Sequence, residues 1–148
     1  MSSAAIIPYA TTLLIRDSCL CLHVQRAARS LARRFDEALR PLELTNGQFS
    51  LLVSLNRTRA PAMTAVSSLL AMDRTTLTAA LKPLARRGLV SISADPQDRR
   101  NRLLRLTLRG RRLLGRAVPI WQRTHLSSQS LVGGSNAGRL RGDLRALC

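Results

Sequence analysis

The 148-residue sequence predicts a mainly α-helical protein with one small β-hairpin. Apolar residues recur every three to four positions over residues 17–39 and again between residues 45 and 84, which is the spacing of amphipathic helices. After Gly88 the period falls to two, as in half-buried strands. With 45% apolar residues, a single domain spanning residues 1–148 can bury a core of its own.

Three helices are expected in the first half of the chain. The first covers residues 17–39 and ends just before a proline. Thr45 or Asn46 caps the second helix, and the loop at residues 57–61 ends it. A short third helix follows at about residues 64–71.

A fourth helix is bounded by two strong local signals. Asp73 is a good N-cap, and Gly88 is placed as the left-handed residue that terminates the helix. Pro83 lacks an N–H and should kink the third turn or shorten the helix. The core-facing side is expected to carry Leu77, Leu81 and Leu84.

The hairpin and the C-terminal helices complete the expected order of elements. Strands near residues 89–92 and 104–108 flank a charged turn at residues 95–102. Thr107 can cap a helix over residues 108–126, bent or interrupted near a proline, and a Ser/Gly/Asn linker at residues 127–138 leads to a short terminal helix.

The charge balance points to a polyanionic partner. The chain holds 24 Lys and Arg against 8 Asp and Glu, a formal charge of +16, and Lys82 is its one lysine. The planar guanidinium of arginine binds phosphate and guanine edges in bidentate fashion. No apolar run is long enough to span a membrane, and three cysteines do not form a disulfide framework, so we expect a protein of the reducing cytoplasm.

The third and fourth helices and the hairpin have the pattern of a winged helix-turn-helix. The buried leucines of the fourth helix would turn its polar residues toward a DNA groove. Short hydroxyl side chains can meet base edges there, and backbone N–H groups at the helix start favour a phosphate beside Arg74 and Thr76. The candidate DNA-contacting residues of this helix are Arg74, Thr75, Thr76, Thr78 and Lys82.

Residues 44–114 carry a family resemblance. The segments LAMDRTTLTAAL, LARRGLV and DPQDRRNRLLRLTLRG resemble those of the MarR family of bacterial winged-helix regulators, with the Asp-x-x-Asp-Arg-Arg wing and Leu-Thr-x-x-Gly as the specific signal. The resemblance implies a homodimer built on helices at residues 13–40 and 108–148, with residues 45–107 as the DNA-binding lobe. It implies a pseudo-palindromic double-stranded operator as the partner.

The same resemblance gives roles to the wing. Each recognition helix would enter a major groove, and each wing would lie near the minor groove. Arg100 would enter the minor groove, and Asp98 would hold its guanidinium through a charge-assisted pair. Arg99 and Arg102 complete the predicted wing contacts.

Cysteines supply the candidate sensor. Cys21 stands where the similar organic-peroxide sensors of the OhrR type have their reactive cysteine, but Gln25 and Phe35 replace the two tyrosines that bind the sulfur in those sensors. Cys19 or Cys21 could pair with Cys148 of the other subunit. A soft metal or metalloid is the other possible effector, and no cofactor is required. The candidate metal ligands are Cys19, Cys21, His23 and Cys148.

Four functions remain open on the sequence. The leading one is a repressor that a cysteine-based signal, an oxidant or a soft metal, releases from DNA. The alternative is a repressor released by a small aromatic or phenolic anion, with cysteines that only pack. A thiol redox enzyme rests on Cys19 and Cys21 alone, and a basic RNA-binding protein leaves the wing unexplained. No catalytic motif is present, so we predict a protein that is not an enzyme.

Overall fold

The computed structural model describes residues 6–133 and 136–148, and it confirms a mainly helical fold with a two-stranded antiparallel wing. The chain divides into two compact units at the Arg34–Phe35 boundary. The elements are α1 (Tyr9–Ser18), α2 (Leu20–Leu39), a 3-10 turn (Arg40–Leu42), α3 (Asn46–Ser54), α4 (Met63–Leu69), α5 (Arg74–Arg86), β1 (Val90–Ala94), β2 (Arg102–Leu106), α6 (Leu108–Ser130) and α7 (Asn136–Arg145).

The first unit corrects one expected helix into two. The predicted helix over residues 17–39 is broken at Cys19, whose backbone is extended (φ −69°, ψ 107°). The Ser18 hydroxyl donates to the Leu14 carbonyl at 2.5 Å, and the Leu22 N–H donates to the Cys19 sulfur at 3.5 Å. Such local bonds compete with the helical ladder, so the first helix ends here and the sulfur of Cys19 caps the next one.

The second unit holds the hydrophobic core. Leu77, Leu81 and Leu84 of α5 are at most 1% exposed and pack with buried leucines of α3, β2 and α6, which confirms their predicted orientation. The wing pairs Val90 with Leu106 and Ile92 with Leu104. An isolated bridge between Ala62 and Leu103 fastens the second wing strand to the start of α4.

Capping residues fix the starts of three helices where the sequence predicts them. Thr45 forms a capping box with Gln48, Asp73 caps α5, and Thr107 caps α6 by accepting the Gly110 N–H. Gly88 has the expected left-handed backbone (φ 68°) just after α5. These local signals therefore position both ends of the helix that precedes the wing.

The two internal prolines do not break their helices. α5 continues through Pro83 to Arg86, so the predicted shortening is wrong, and α6 runs uninterrupted through Pro119 to Ser130. Packing of Leu84 and Ala117 in the core outweighs the local cost of each proline, which is about 3 kcal/mol.

Most of the predicted linker at residues 127–138 is helical. Residues 127–130 belong to α6, α7 begins at Asn136, and residues 134–135 lie outside the described part of the chain. The Ser128 hydroxyl donates to the Thr124 carbonyl at 2.8 Å, a bond that a serine makes within a helix. Across residues 6–133 and 136–148, no helix is both long and apolar enough to cross a bilayer.

Candidate nucleic-acid interface

The exposed face of α5 lies opposite its buried leucines. Five side chains of this face line a shallow depression of about 330 Å³, and all of them are exposed or half-exposed. The face combines two cations with two hydroxyls, a mixture that suits both phosphates and base edges. Its residues are Arg74, Thr75, Thr78, Ala79 and Lys82.

The start of α5 is occupied by its own cap. Asp73 accepts the Thr76 N–H at 2.7 Å and the Thr76 hydroxyl at 2.8 Å. The backbone bond from Thr76 is the main cause that lowers the pKa of Asp73 below its ordinary value. Thr76 is thus a capping residue with both donors in use, and its contact with a phosphate stays a prediction.

The two hydroxyls on the recognition face differ in what they can offer. Thr78 donates its hydroxyl proton to the Arg74 carbonyl at 2.8 Å, with the Met63 sulfur as a weaker acceptor at 3.8 Å, so its oxygen can serve a ligand only as an acceptor. Within the described residues, Thr75 makes no side-chain hydrogen bond and keeps both a donor and an acceptor. Of the two hydroxyls on this face, Thr75 is therefore the one whose proton is free to be donated to a ligand, and its contact with a base edge stays a prediction.

The wing tip is ordered by carboxylates that bind backbone rather than guanidinium groups. Asp95 accepts the Gln97 N–H at 2.9 Å. Asp98 accepts the Arg100 backbone N–H at 3.0 Å and the Asn101 side-chain amide at 3.2 Å. The expected side-chain pair between Asp98 and Arg100 is not formed, because a two-residue Asx turn uses the carboxylate instead.

The wing arginines consequently face solvent without an acidic partner. Among the residues that the structure describes, the ion pairs involve none of the wing cations. Unpaired guanidinium groups on a rigid turn can enter a minor groove without first breaking a bond within the protein. The three predicted arginines Arg99, Arg100 and Arg102 are exposed, and so is Arg105 of β2, which the sequence analysis did not single out.

The cysteines of the first unit have well-defined neighbours. Cys21 is exposed, and the Gln25 side-chain amide donates to its sulfur at 3.1 Å. Arg29 in turn donates to the Gln25 carbonyl oxygen at 3.2 Å. On the sequence, Gln25 stands out only as the absence of a tyrosine hydroxyl. Residues four apart on a helix lie side by side, and this spacing is the signal that predicts the contact between Gln25 and Cys21.

The structure gives no support to the predicted metal site. Over residues 6–133 and 136–148, no group of three or more His, Cys, Asp or Glu side chains could hold a metal ion. His23 uses its Nδ1 atom on the Cys19 carbonyl oxygen at 2.8 Å, while the Cys19 sulfur caps α2. Cys148 is exposed in the second unit, and its thiol donates to the Leu144 carbonyl oxygen at 3.7 Å.

An apolar cleft that the sequence did not predict lies between α3, α4 and α6. Its volume is about 490 Å³, and aromatic and aliphatic side chains form most of its wall. Trp121 stacks on Phe49 at 6.3 Å between ring centroids and on His125 at 4.7 Å. The lining residues are Phe49, Ser50, Val53, Ser54, Leu69, Leu70, Val118 and Trp121.

Comparison with known proteins agrees with this geometry. The sequence model of the MarR family matches residues 44–101, which span α3 to the wing. The transcriptional regulator MosR of Mycobacterium tuberculosis, solved in complex with DNA, is 37% identical and superimposes with a TM-score of 0.80, over 88% of this chain and 93% of MosR. This chain belongs to the MarR family of winged helix-turn-helix transcriptional regulators.

Two further MarR-fold relatives extend the comparison. The repressor CouR bound to a 23-mer DNA duplex is 29% identical with a TM-score of 0.80, over 90% of this chain and 94% of CouR. The regulator TtmR of Methylorubrum extorquens is 35% identical over 100 residues, which are 68% of this chain; the chain spans about half (51%) of TtmR.

Family membership decides two of the sequence predictions. MarR proteins are transcriptional regulators and not enzymes, and they need no cofactor, so the thiol redox enzyme is set aside. Cys21 lies outside residues 44–101, the segment that the family model matches. The resemblance of its position to the reactive cysteine of OhrR-type sensors therefore stays a prediction.

Proposed function

We propose that this MarR-family chain acts as a homodimeric repressor that binds a pseudo-palindromic double-stranded operator. The observation that carries the proposal is the polar face of α5, which exposes hydroxyls and cations while its leucines are fully buried. The unpaired arginines of the wing supply a second basic surface on the same unit. The similarity of this chain to MosR and CouR, each solved with DNA, supports the proposal.

Exposed apolar residues in each unit support the homodimer. In the first unit, no residue of α1 is buried, and Leu14 and Leu20 are more than 60% exposed. In the second unit, the end of α6 and the α7 region expose leucines as well. Apolar surface of this extent indicates an interface, and we assign residues 13–40 and 108–148 to it and residues 45–107 to the DNA-binding lobe.

Footprinting and fluorescence anisotropy with the full chain test the proposal. We expect one dimer to protect two half-sites about 10 bp apart, with affinity that falls steeply as salt rises. Sedimentation of the complex gives the stoichiometry. A monomer on DNA, or equal affinity for operator and random duplex at moderate salt, would contradict it.

We further propose that a thiol signal at Cys21 releases the operator. The Gln25 amide and Arg29 form a hydrogen-bonded series that ends on the exposed Cys21 sulfur and would hold that sulfur in one position. Attack of the thiolate on a hydroperoxide transfers one oxygen to sulfur and expels an alkoxide. The sulfenic acid then condenses with the thiol of Cys148 of the other subunit to form a disulfide and water. Capture of a soft metal or metalloid is the second form of the signal.

Two cysteine variants separate these roles. Cys21→Ser should bind operator with unchanged affinity and no longer release it under cumene hydroperoxide or a soft metal. Cys148→Ser is the matched control for the resolving thiol, and it should slow disulfide formation while it leaves sulfenate formation intact. If Cys21→Ser releases DNA like the natural chain, the cysteine only packs.

The apolar cleft supports a second candidate effector. Its aromatic walls of Phe49 and Trp121 and its volume of about 490 Å³ suit a small aromatic or phenolic anion. Salicylate is a suitable probe, with Trp121 fluorescence as the readout. Dissociation of operator by salicylate in both the natural chain and Cys21→Ser would favour this candidate over the thiol signal.

A further inference from the structure

A basic cavity lies behind the wing, in the second unit only. Its volume is about 350 Å³, and it opens between the 3-10 turn, the end of α5 and the first turns of α6. Arg109, Arg112 and Arg116 of α6 line it at positions i, i+3 and i+7, so they share one face of the helix. Four guanidinium groups and one carboxylate border the cavity when Arg87 and Glu43 are included.

None of these cations is neutralised by the chain that the structure describes. The ion pairs of residues 6–133 and 136–148 are Arg16–Asp17, Arg40–Glu37 and Arg139–Asp143. Arg87 donates to the Glu43 carbonyl oxygen at 2.6 Å and to the Leu42 carbonyl oxygen at 3.4 Å, which fixes its guanidinium at the cavity rim. The cavity thus has a net positive charge that its own carboxylate does not offset.

The floor of the cavity is apolar and rigid. Leu42 and Leu89 are 7% and 2% exposed, and Leu113 completes the floor. Just behind it, the Thr107 hydroxyl donates to the Gly88 carbonyl oxygen at 2.7 Å and ties the start of α6 to the turn that follows α5. A ligand would therefore meet a preformed surface with cations above and hydrocarbon below.

We infer that this cavity binds a small phosphate monoester whose ring or apolar part rests on the leucine floor. Phosphate is dianionic and has three acceptor oxygens, which match several guanidinium groups better than a single carboxylate does. The volume is at the small end of ligand sites and fits a nucleotide-sized molecule. The cavity shares no lining residue with the polar face of α5 or with the three cysteines.

The position of the cavity argues against a contact with the DNA backbone. Arg74 begins α5 on the recognition face, whereas Arg87 follows its other end, about 20 Å away along the helix axis. The cavity is also concave and floored by leucines, a shape that suits a small ligand and not a duplex. DNA is therefore an outcome of the test and not the ligand proposed.

Isothermal titration of the full chain with AMP tests the inference, with pyrophosphate and adenosine as companion probes. We expect saturable AMP binding at one site per chain, weaker binding of pyrophosphate and none of adenosine. Arg112→Ala/Arg116→Ala should weaken AMP binding by about tenfold or more. The conservative Arg112→Lys/Arg116→Lys should lose less, because it keeps the charge and loses only the planar fork.

The control is Arg111→Ala/Arg123→Ala, which removes the same charge from exposed positions of the same helix outside the cavity. It should leave AMP affinity within about twofold of the natural chain, since long-range attraction is screened by salt. Equal losses in the two double variants would mean general attraction to a +16 chain and would overturn the inference. Absence of saturable binding of both AMP and pyrophosphate would overturn it as well. So would a cavity variant that loses DNA affinity and keeps AMP affinity.

Discussion

Gly110 and Gly115 form a matched pair that tests how α6 is held against the wing. Both lie in α6, but Gly110 is buried and Gly115 is exposed. A Cβ atom at Gly110 would lie 2.2 Å from the Leu89 carbonyl oxygen and 2.8 Å from a methyl group of Leu106. At Gly115 a Cβ atom would meet nothing within 4 Å.

The expected changes in stability have opposite signs. Alanine is favoured over glycine inside a helix by about 1 kcal/mol, and Gly115→Ala should gain roughly this amount. At Gly110 the same gain is opposed by overpacking against backbone, about 3 kcal/mol, and by damage to the 3.1 Å bond from the Thr107 N–H to the Leu89 carbonyl oxygen, about 1 kcal/mol. Gly110→Ala should therefore lose about 3 kcal/mol.

Thermal and urea unfolding at one fixed protein concentration measure the difference. A gap of about 4 kcal/mol corresponds to midpoints roughly 8–16 °C apart for a chain of this size. Operator affinity should also fall in Gly110→Ala, because α6 can relieve the clash only by moving away from the wing base. Equal stability of the two variants would show that the close approach at Leu89 is not a constraint in solution.

Three further predictions concern the recognition surface and the sensor. Thr78→Ala should relax base preference by about 1–3 kcal/mol at one operator position, whereas Lys82→Ala should weaken all sequences alike; anisotropy titrations with single-base operator variants distinguish the two, and parallel losses would contradict the assignment. Arg100→Ala should lose affinity mainly at operators with narrow, A·T-rich minor grooves, and an equal loss at G·C-rich sites would exclude minor-groove insertion. Gln25→Leu should slow iodoacetamide alkylation of Cys21, because the side-chain amide that contacts its sulfur at 3.1 Å is lost, and an unchanged rate would remove Gln25 from the sensor.

The sequence predicts the helices of residues 45–107, the proposed DNA-binding lobe, well because the signals for them are local. Asp73, Thr107 and Gly88 each act within three residues of their own position, through a cap or a left-handed backbone. The buried leucines of α5 follow from helical periodicity alone. Helix boundaries and the face that points outward therefore need no tertiary information.

Predictions from the sequence fail where two local hydrogen bonds compete, or where packing in the core overrides the backbone preference of a residue. Ser18 and Cys19 each prefer a backbone partner, and together they break a helix that periodicity makes continuous. Asp98 can bind either a guanidinium or a nearby N–H, and the turn selects the N–H. Pro83 disfavours a helix locally, but the buried Leu84 one residue later holds the last turn in place.

We expect α2, which runs from the first unit into the second, to carry a signal from Cys21 toward the DNA-binding lobe. In the second unit this helix is well anchored: Leu39 is fully buried, and Asp36 accepts both the backbone N–H and the side-chain amide of Asn46 at 2.6 and 2.8 Å. A movement of α2 therefore reaches the start of α3 directly.

The loss of operator affinity that each can cause distinguishes the two oxidised forms of Cys21, the sulfenate and the disulfide. A hundredfold loss of operator affinity requires a coupling free energy of about 2.8 kcal/mol. A sulfenate adds one oxygen to an exposed side chain and can replace its bond to Gln25 with another, so the two states differ little in energy. A disulfide ties Cys21 covalently to another segment and allows only those arrangements in which the two sulfurs meet, so it can favour one state of the protein over the other. We therefore expect operator release to follow the appearance of the disulfide and not of the sulfenate when both are followed by mass spectrometry during oxidation. Release that is complete while only the sulfenate has formed would contradict this order.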